Sequence, residues 1–214
     1  MHALARLALF RLLDKGVSDE DTFRAVQIMD EASLKACEGR FLDLEAQERI
    51  DLSVDNYLRM AESKTGALLA GAMKLGALVA SGDDVMIEAF GECGYKLGVA
   101  MQIRADLREF WQDSGEEHPS HEVMNKKKLL PVVYAIEKAS VSEKRRLGEV
   151  YFKRVLEPHD VISVRKLLEE LGVKDDCEKM VNQYRADAEA KLDITSVSPE
   201  SKSSLSEYFD SLLR

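Results

Sequence analysis

Gln102, Asp106 and Glu109 stand four and three residues apart, the spacing that lines side chains along one face of a helix. One amide and two carboxylates at the end of a long apolar stretch suit a cation, or a metal that carries a polyanion. The same pattern also describes an ordinary helix end leaving the core, and spacing alone does not separate the two. Upstream on the same face lie Gly91, Gly94 and Gly98. A glycine inside a helix costs about 1 kcal/mol relative to alanine, so close packing or a ligand has to offset three of them.

Other groups carry similar ambiguity. Lys64-Thr65 interrupts a run of small and apolar residues, where a lysine either snorkels to water or points into a polar pocket. Arg40 and Asp43 follow Gly39 at i,i+3 spacing, which reads as a local ion pair or as part of a cavity wall. Lys126-Lys127-Lys128 precedes an apolar segment; three cations form either a solvated face or a hold for a diphosphate. His118 and His121, with Glu117 and Glu122 beside them, have a metal-like look. Pro119 prevents regular helical presentation, so a solvated loop is the reading.

These residues must be positioned by helices. Hydrophobic residues make up 45% of the 214, charged residues 32%, and there are only 4 prolines. That composition predicts a single helical domain over residues 1–214 with a sizeable core. Thirty Lys and Arg against 39 Asp and Glu give a net charge of −9, which excludes nucleic acid as the main partner. Cys37, Cys93 and Cys177 are odd in number, far apart and free of CxxC or zinc spacing, as expected in a reducing cytoplasm. The start, MHALARLALF, is interrupted by Arg6 and followed by Arg11, with no cleavage signature. It reads as neither signal peptide nor membrane span, and no transmembrane segment is expected.

The first helix is predicted from about Ala3 to Leu13, with Lys15-Gly16 as its stop. Ser18 and Asp21 form a capping-box-like start for a long helix through Leu44. Ser53 opens the next, which runs to Ala80; in it Gly66, Ala70 and Gly71 leave room for a neighbour. Asp83 and Asp84 suit the positive end of the central helix, which is predicted to pack on the preceding one through its glycines. The polar QDSGEEHPSHE stretch is a loop. Pro131 opens a helix, Ser142 caps the next through Leu156, Pro158 separates that one from DVISVRKLLEELG (160–172), which Gly172 ends, and Asp175 to Leu192 forms a further one. Ser198-Pro199-Glu200 starts the last, to Leu213. Neither strand alternation nor a repeat is present. The fold class is all-α, with eight or nine helices.

In this order, EGRFLDL (38–44), YLRMAESKTGALL (57–69), FGECGYKLGVAMQIRADLREFW (90–111) and NKKKLLPVVYAIE (125–137) resemble the trans-isoprenyl diphosphate synthases. Those enzymes carry EGQxxDL, a KT pair, GxxLGxxFQIxDDxxD and a lysine before LP. The resemblance covers roughly residues 1–140 by motif and the remainder by helical character. It implies antiparallel helices around a deep cavity, with two aspartate-rich motifs holding Mg2+ across its mouth. The metals bind an allylic diphosphate, whose ionisation gives a carbocation that attacks isopentenyl diphosphate. The resemblance assigns Lys64, Thr65, Gln102 and either Lys127 or Lys128 to the diphosphate, Asp106 and Glu109 to a degenerate metal site, and Arg40 and Asp43 to the cavity.

The departures are as informative. The second aspartate-rich motif reads Ala105-Asp106-Leu107-Arg108-Glu109, so its first carboxylate is gone and its last is glutamate. Arg104 and Arg108 flank it and are expected to repel magnesium; Arg40 replaces a glutamine. The loop after the motif lacks the family's lysine, and the first aspartate-rich motif has no counterpart. In the family that motif precedes the helix matching residues 1–14, which implies an isoprenoid-synthase-type bundle lacking its N-terminal helices. The expectation is a polyprenyl diphosphate synthase-like protein of isoprenoid biosynthesis, inactive alone, with Mg2+ binding weak or lost. It would act as a non-catalytic or regulatory subunit, as a homodimer or as a heteromer with an active prenyl synthase, with isoprenoid diphosphates as possible ligands. Two alternatives stand: one part of a split prenyltransferase whose partner supplies the first DDxxD, or a helical interaction protein without isoprenoid chemistry.

Overall fold

The computed structural model describes residues 2–49, 52–111, 120–151 and 153–214, and among them every regular element is helical. Helix α1 covers His2–Phe10 and gives way to a 3-10 turn at Leu13–Lys15, closed by Gly16 at φ 82°. Helix α2 spans Asp19–Glu48; Ser18 Oγ accepts the Asp21 amide at 3.0 Å and donates to its carboxylate at 2.8 Å. Ser53 caps α3 (Val54–Ala61), which passes through a π-helical turn at Glu62–Gly66 into α4 (Ala67–Ala80). The expected Ser53–Ala80 helix is therefore continuous but bulged. Helix α5 is Asp84–Trp111.

The second half comprises α6 His121–Met124, which was not expected, α7 Leu130–Lys138, α8 Val141–Tyr151, which stops short of the expected Leu156, α9 Pro158–Glu170, α10 Val173–Ala190 and α11 Pro199–Leu213. Eleven α-helices are present among the described residues, not eight or nine. Ser140 rather than Ser142 opens α8, because its amide and hydroxyl both donate to Glu143, at 2.7 and 2.6 Å. Gly172 adopts φ 67° and α10 begins at the next residue, ahead of the predicted Asp175. No helix among the described residues is long and apolar enough to cross a membrane.

Helix α5 packs on both α4 and α10, and α2 also packs on α4. The α4–α5 seam depends on glycine. A Cβ on Gly94 would sit 2.7 Å from Ala70 Cα, and one on Gly98 would sit 2.6 Å from Gly66 Cα. Backbone meets backbone there, so no side-chain rotation relieves the contact. Gly91 differs, since the three atoms nearest to a Cβ there all belong to the flexible Lys74 side chain. Tyr57, Leu97, Ile103, Phe110, Leu130 and Leu168 anchor the main core, and a smaller cluster joins Ala25, Ala77, Leu78 and Ile87. Against this, Phe23, Leu34 and Phe41 on α2 and Leu4 and Leu7 on α1 are 60–68% exposed. Cys93 and Cys177 are buried free thiols, pushed up to about 12 by burial, and Cys37 is exposed.

Candidate functional site

The π-turn and α2 meet with almost nothing between them. A Cβ on Gly39 would lie 2.2 Å from the Lys64 backbone nitrogen, so glycine sets how closely α2 approaches. The bulge presents Lys64 to α2 and Thr65 to α5, as π-turns inside helices often do at sites. Lys64 Nζ donates to Asp43 Oδ2 at 2.9 Å, and Arg40 Nη1 donates to the same oxygen at 2.5 Å. Asp43 is buried. The local Arg40–Asp43 pair thus exists and is joined by a second cation, giving the trio a net positive charge.

Thr65 Oγ1 donates to Gln102 Oε1 at 2.6 Å, and Gln102 Nε2 donates to Asp106 Oδ1 at 3.0 Å. The other Asp106 oxygen accepts Tyr57 OH at 2.6 Å and the Leu130 amide at 2.9 Å. Asp106 is only 3% exposed. Burial pushes its carboxyl up to about 6, against the pull of these donors and of the Lys127 charge. One chain of hydrogen bonds therefore runs from the π-turn through α5 to α3 and to the start of α7.

The three consecutive lysines diverge. Lys127 pairs with Glu122 at 2.9 Å and lines a cavity of about 270 Å³ with Arg40, Asp43, Gln47, Glu122 and Asn125. Burial depresses its ammonium, but the Glu122 hydrogen bond and the charges of Asp43 and Asp106 leave it raised. Lys126 sits at φ 59° and donates to the Lys153 carbonyl. Lys128 stands over the Tyr151 ring, 5.9 Å from its centroid, in a different cavity. Of the residues singled out by sequence, Arg40, Asp43, Lys64 and Lys127 form one group and Thr65, Gln102 and Asp106 another beside it; Lys128 stands apart.

The carboxylates of the degenerate motif do not converge. Glu109 accepts Ser120 Oγ, and Ala105 is exposed. Arg104 forks onto Glu178 of α10, with both bonds at 2.7 Å, and Arg108 Nε donates to the Arg214 carbonyl. These arginines are engaged on α10 and the last residue of the chain instead of simply flanking the motif. Among the described residues no three His, Cys, Asp or Glu side chains are placed to hold a metal. Both Asp106 oxygens already accept from protein donors, Oδ2 from two and Oδ1 from one. His121 is exposed and contacts Asn125, while His118 lies outside the described residues. Sequence reasoning missed Tyr57 and the Leu130 amide, and it read Glu122 as a neighbour of two histidines instead of the partner of Lys127. A tyrosine seven residues before Lys64 was visible, but its acceptor is 49 residues away.

The polyprenyl synthetase family profile matches residues 3–171, further than the motifs reach. A geranylgeranyl diphosphate synthase of Mycobacterium tuberculosis is 37% identical over 142 residues, 65% of this chain and 39% of that protein. The crystal structure of a polyprenyl synthetase from Streptomyces coelicolor A3(2) superposes with a TM-score of 0.87 at 26% identity, covering 98% of this chain and 64% of that one. A polyprenyl synthase from Caulobacter crescentus CB15, crystallised with calcium and isoprenyl diphosphate, gives 0.81 at 25% identity, covering 95% and 61%. The chain spans 39–46% of the length of the first curated relatives it matches. With 169 consecutive residues under one family profile and the same all-α fold, the chain belongs to the polyprenyl synthetase family.

Proposed function

We propose that this chain is a diphosphate-binding, non-catalytic subunit that modulates an active prenyl synthase. The observation that carries the reading is the state of Asp106. The one aspartate left in the second metal motif is buried and bonded to Tyr57, Gln102 and the Leu130 amide, beside Ala105 where a carboxylate is expected. The family reaction separates a diphosphate from an allylic carbon, and cations must neutralise the leaving group in a dry cavity. Lys64, Thr65, Gln102 and Lys127 are the residues assigned to the diphosphate, which they bind weakly; Asp106 and Glu109 are left with magnesium binding weak or lost. The Caulobacter relative, crystallised with an isoprenyl diphosphate, supports that ligand class.

Association with another chain fits the exposed Phe23, Leu34 and Phe41 on α2 and Leu4 and Leu7 on α1. Sedimentation at micromolar concentration is expected to show a dimer or a larger species, and a clean monomer across that range counts against it. Incorporation of radiolabelled isopentenyl diphosphate tests the function. The chain alone is expected to give none, and adding it to an active synthase is expected to change that enzyme's rate or product. Turnover by the chain alone, or no effect on any synthase it binds, overturns the reading.

A second reading has its own observation. Lys64 and Thr65 open, with Leu68, Leu69 and Met101, onto a shallow cavity of about 400 Å³, and Leu68 is 51% exposed. Such an open face suits a partner that supplies the first DDxxD and closes the cavity, as in a split enzyme. Activity that appears only in the mixture, with neither component active alone, selects it.

A further inference from the structure

We infer that Lys128 is the floor of a separate site for a small oxyanion, phosphate or a phosphate monoester, on the far side of α2 from Lys64 and Lys127. Leu42, Glu45 and Arg49 line this cavity, whereas Arg40, Asp43 and Gln47 line the Lys127 cavity. At 100° per residue those two sets fall on opposite faces of α2. Consecutive lysines in the turn before α7 thus reach two different pockets.

The two lysines also differ in company. Lys127 has Glu122 at 2.9 Å. Lys128 is partly buried and has neither a carboxylate nor a hydrogen-bond acceptor among the described residues; its one neighbour of note is the Tyr151 ring. The Tyr151 hydroxyl is itself buried without a partner. Arg59 and Asn56 contribute further donors to the cavity wall, and Glu45, which is exposed, is the only acid among its described lining residues. A cation withdrawn from water without a counter-charge is costly, and an oxyanion removes that cost. Burial and the neighbouring Lys126 both depress the Lys128 ammonium, as expected of a group awaiting an anion. The cavity holds about 160 Å³. That is near the size of an engineered cavity that takes one benzene, enough for a phosphate group but not for a prenyl chain. The inference is independent of the diphosphate reading above, because it uses none of Lys64, Thr65, Gln102 or Lys127.

The experiment is a thermal-shift and calorimetric titration of the full chain with inorganic phosphate, glycerol phosphate and acetate at constant ionic strength. Saturable stabilisation by phosphate is expected, with affinity falling about tenfold or more in Lys128→Met and unchanged in Lys166→Met, an exposed lysine of α9. Tighter binding of the monoester assigns a phosphorylated metabolite, and tighter binding of inorganic phosphate assigns the free ion. Equal stabilisation by acetate overturns the phosphate assignment. A wild-type measurement covers the case where Lys128→Met fails to fold: phosphate is expected to slow acetylation of Lys128 by acetic anhydride, read by mass spectrometry, and to leave the exposed Lys144 and Lys166 unaffected. No saturable phosphate effect, or protection spread evenly over the lysines, overturns the inference.

Discussion

The π-turn side of the site and the end of α5 come from the same family pattern and have fared differently. At the π-turn, Lys64 and Thr65 keep the expected residue types, and each is held by a single side-chain partner, Asp43 and Gln102. If a ligand draws Lys64 away, the buried Asp43 keeps Arg40 as its counter-charge. At the end of α5 the carboxylates are absent or committed. Ala105 has none, Glu109 bonds Ser120, and Asp106 ties three segments together. A carboxylate that satisfies buried donors cannot leave them for a metal without exposing unpaired groups. One region keeps a lysine and a threonine of the expected types, while in the other the remaining aspartate ties α3, α5 and α7 together.

The largest expected effect is on catalysis. The chain alone should not condense allylic and isopentenyl diphosphates at a measurable rate, because loss of metal-borne charge stabilisation costs many powers of ten. Ala105→Asp alone should not restore turnover, since Asp106 remains bonded to Tyr57 and Leu130. Incorporation of label by this single variant would erase the contrast between the two regions.

A second test sharpens the contrast within the glycine face. Gly94→Leu should cost about 3 kcal/mol or more, because its Cβ already falls 2.7 Å from Ala70 Cα. Gly91→Ala should be neutral or gain up to about 1 kcal/mol, since the atoms nearest to its Cβ belong to the flexible Lys74 side chain. Urea unfolding of both variants checks this. Equal effects would mean that the seam is not set by backbone contact.

Much of this was legible in sequence for physical reasons. The helix period, the Ser18 and Ser53 caps and the glycine spacing are local signals, and the structure has all of them. The Arg40–Asp43 pair was legible too, being three residues apart. What was not legible depends on separations that no local pattern encodes. Tyr57 reaches Asp106 across 49 residues, and Arg104 reaches Glu178 across 74. Lys127 and Lys128 part after a turn at Lys126, whose φ of 59° is not announced by a lysine. The second half was misjudged at its helix ends because its polar faces give weak periodicity, and Ser140 and Ser142 are both acceptable caps.

Asp106 also makes a pH prediction. Its folded carboxyl titrates near 6, above the ordinary aspartate value of 3.8. A raised folded value means that the folded state holds the proton more tightly than the unfolded chain. The contribution is therefore fully present below about pH 4 and lost as pH rises through about 6, a change of about 2–3 kcal/mol. Asp106→Asn keeps an acceptor for Tyr57 and the Leu130 amide but cannot titrate. The stability of wild type relative to this variant should fall between pH 4 and pH 6 and then level off. A flat difference across that window, measured by urea unfolding, would show that Asp106 is not desolvated.

The smallest effect concerns magnesium. Calorimetry of an allylic diphosphate should show weak binding that Lys64→Met or Lys127→Met weakens further. Each lysine contributes a charge-assisted hydrogen bond only after releasing Asp43 or Glu122. Magnesium should change the affinity by less than about tenfold, because a metal that finds no protein carboxylate binds the diphosphate as it does in water. Tyr57→Phe refines the test. It removes one of the two donors to Asp106 Oδ2 and so loosens the tie without adding a carboxylate. If magnesium dependence then appears, Asp106 is a metal ligand held back by Tyr57, and the two regions differ by one hydroxyl. If it stays absent, the missing carboxylate at Ala105 is the deciding loss.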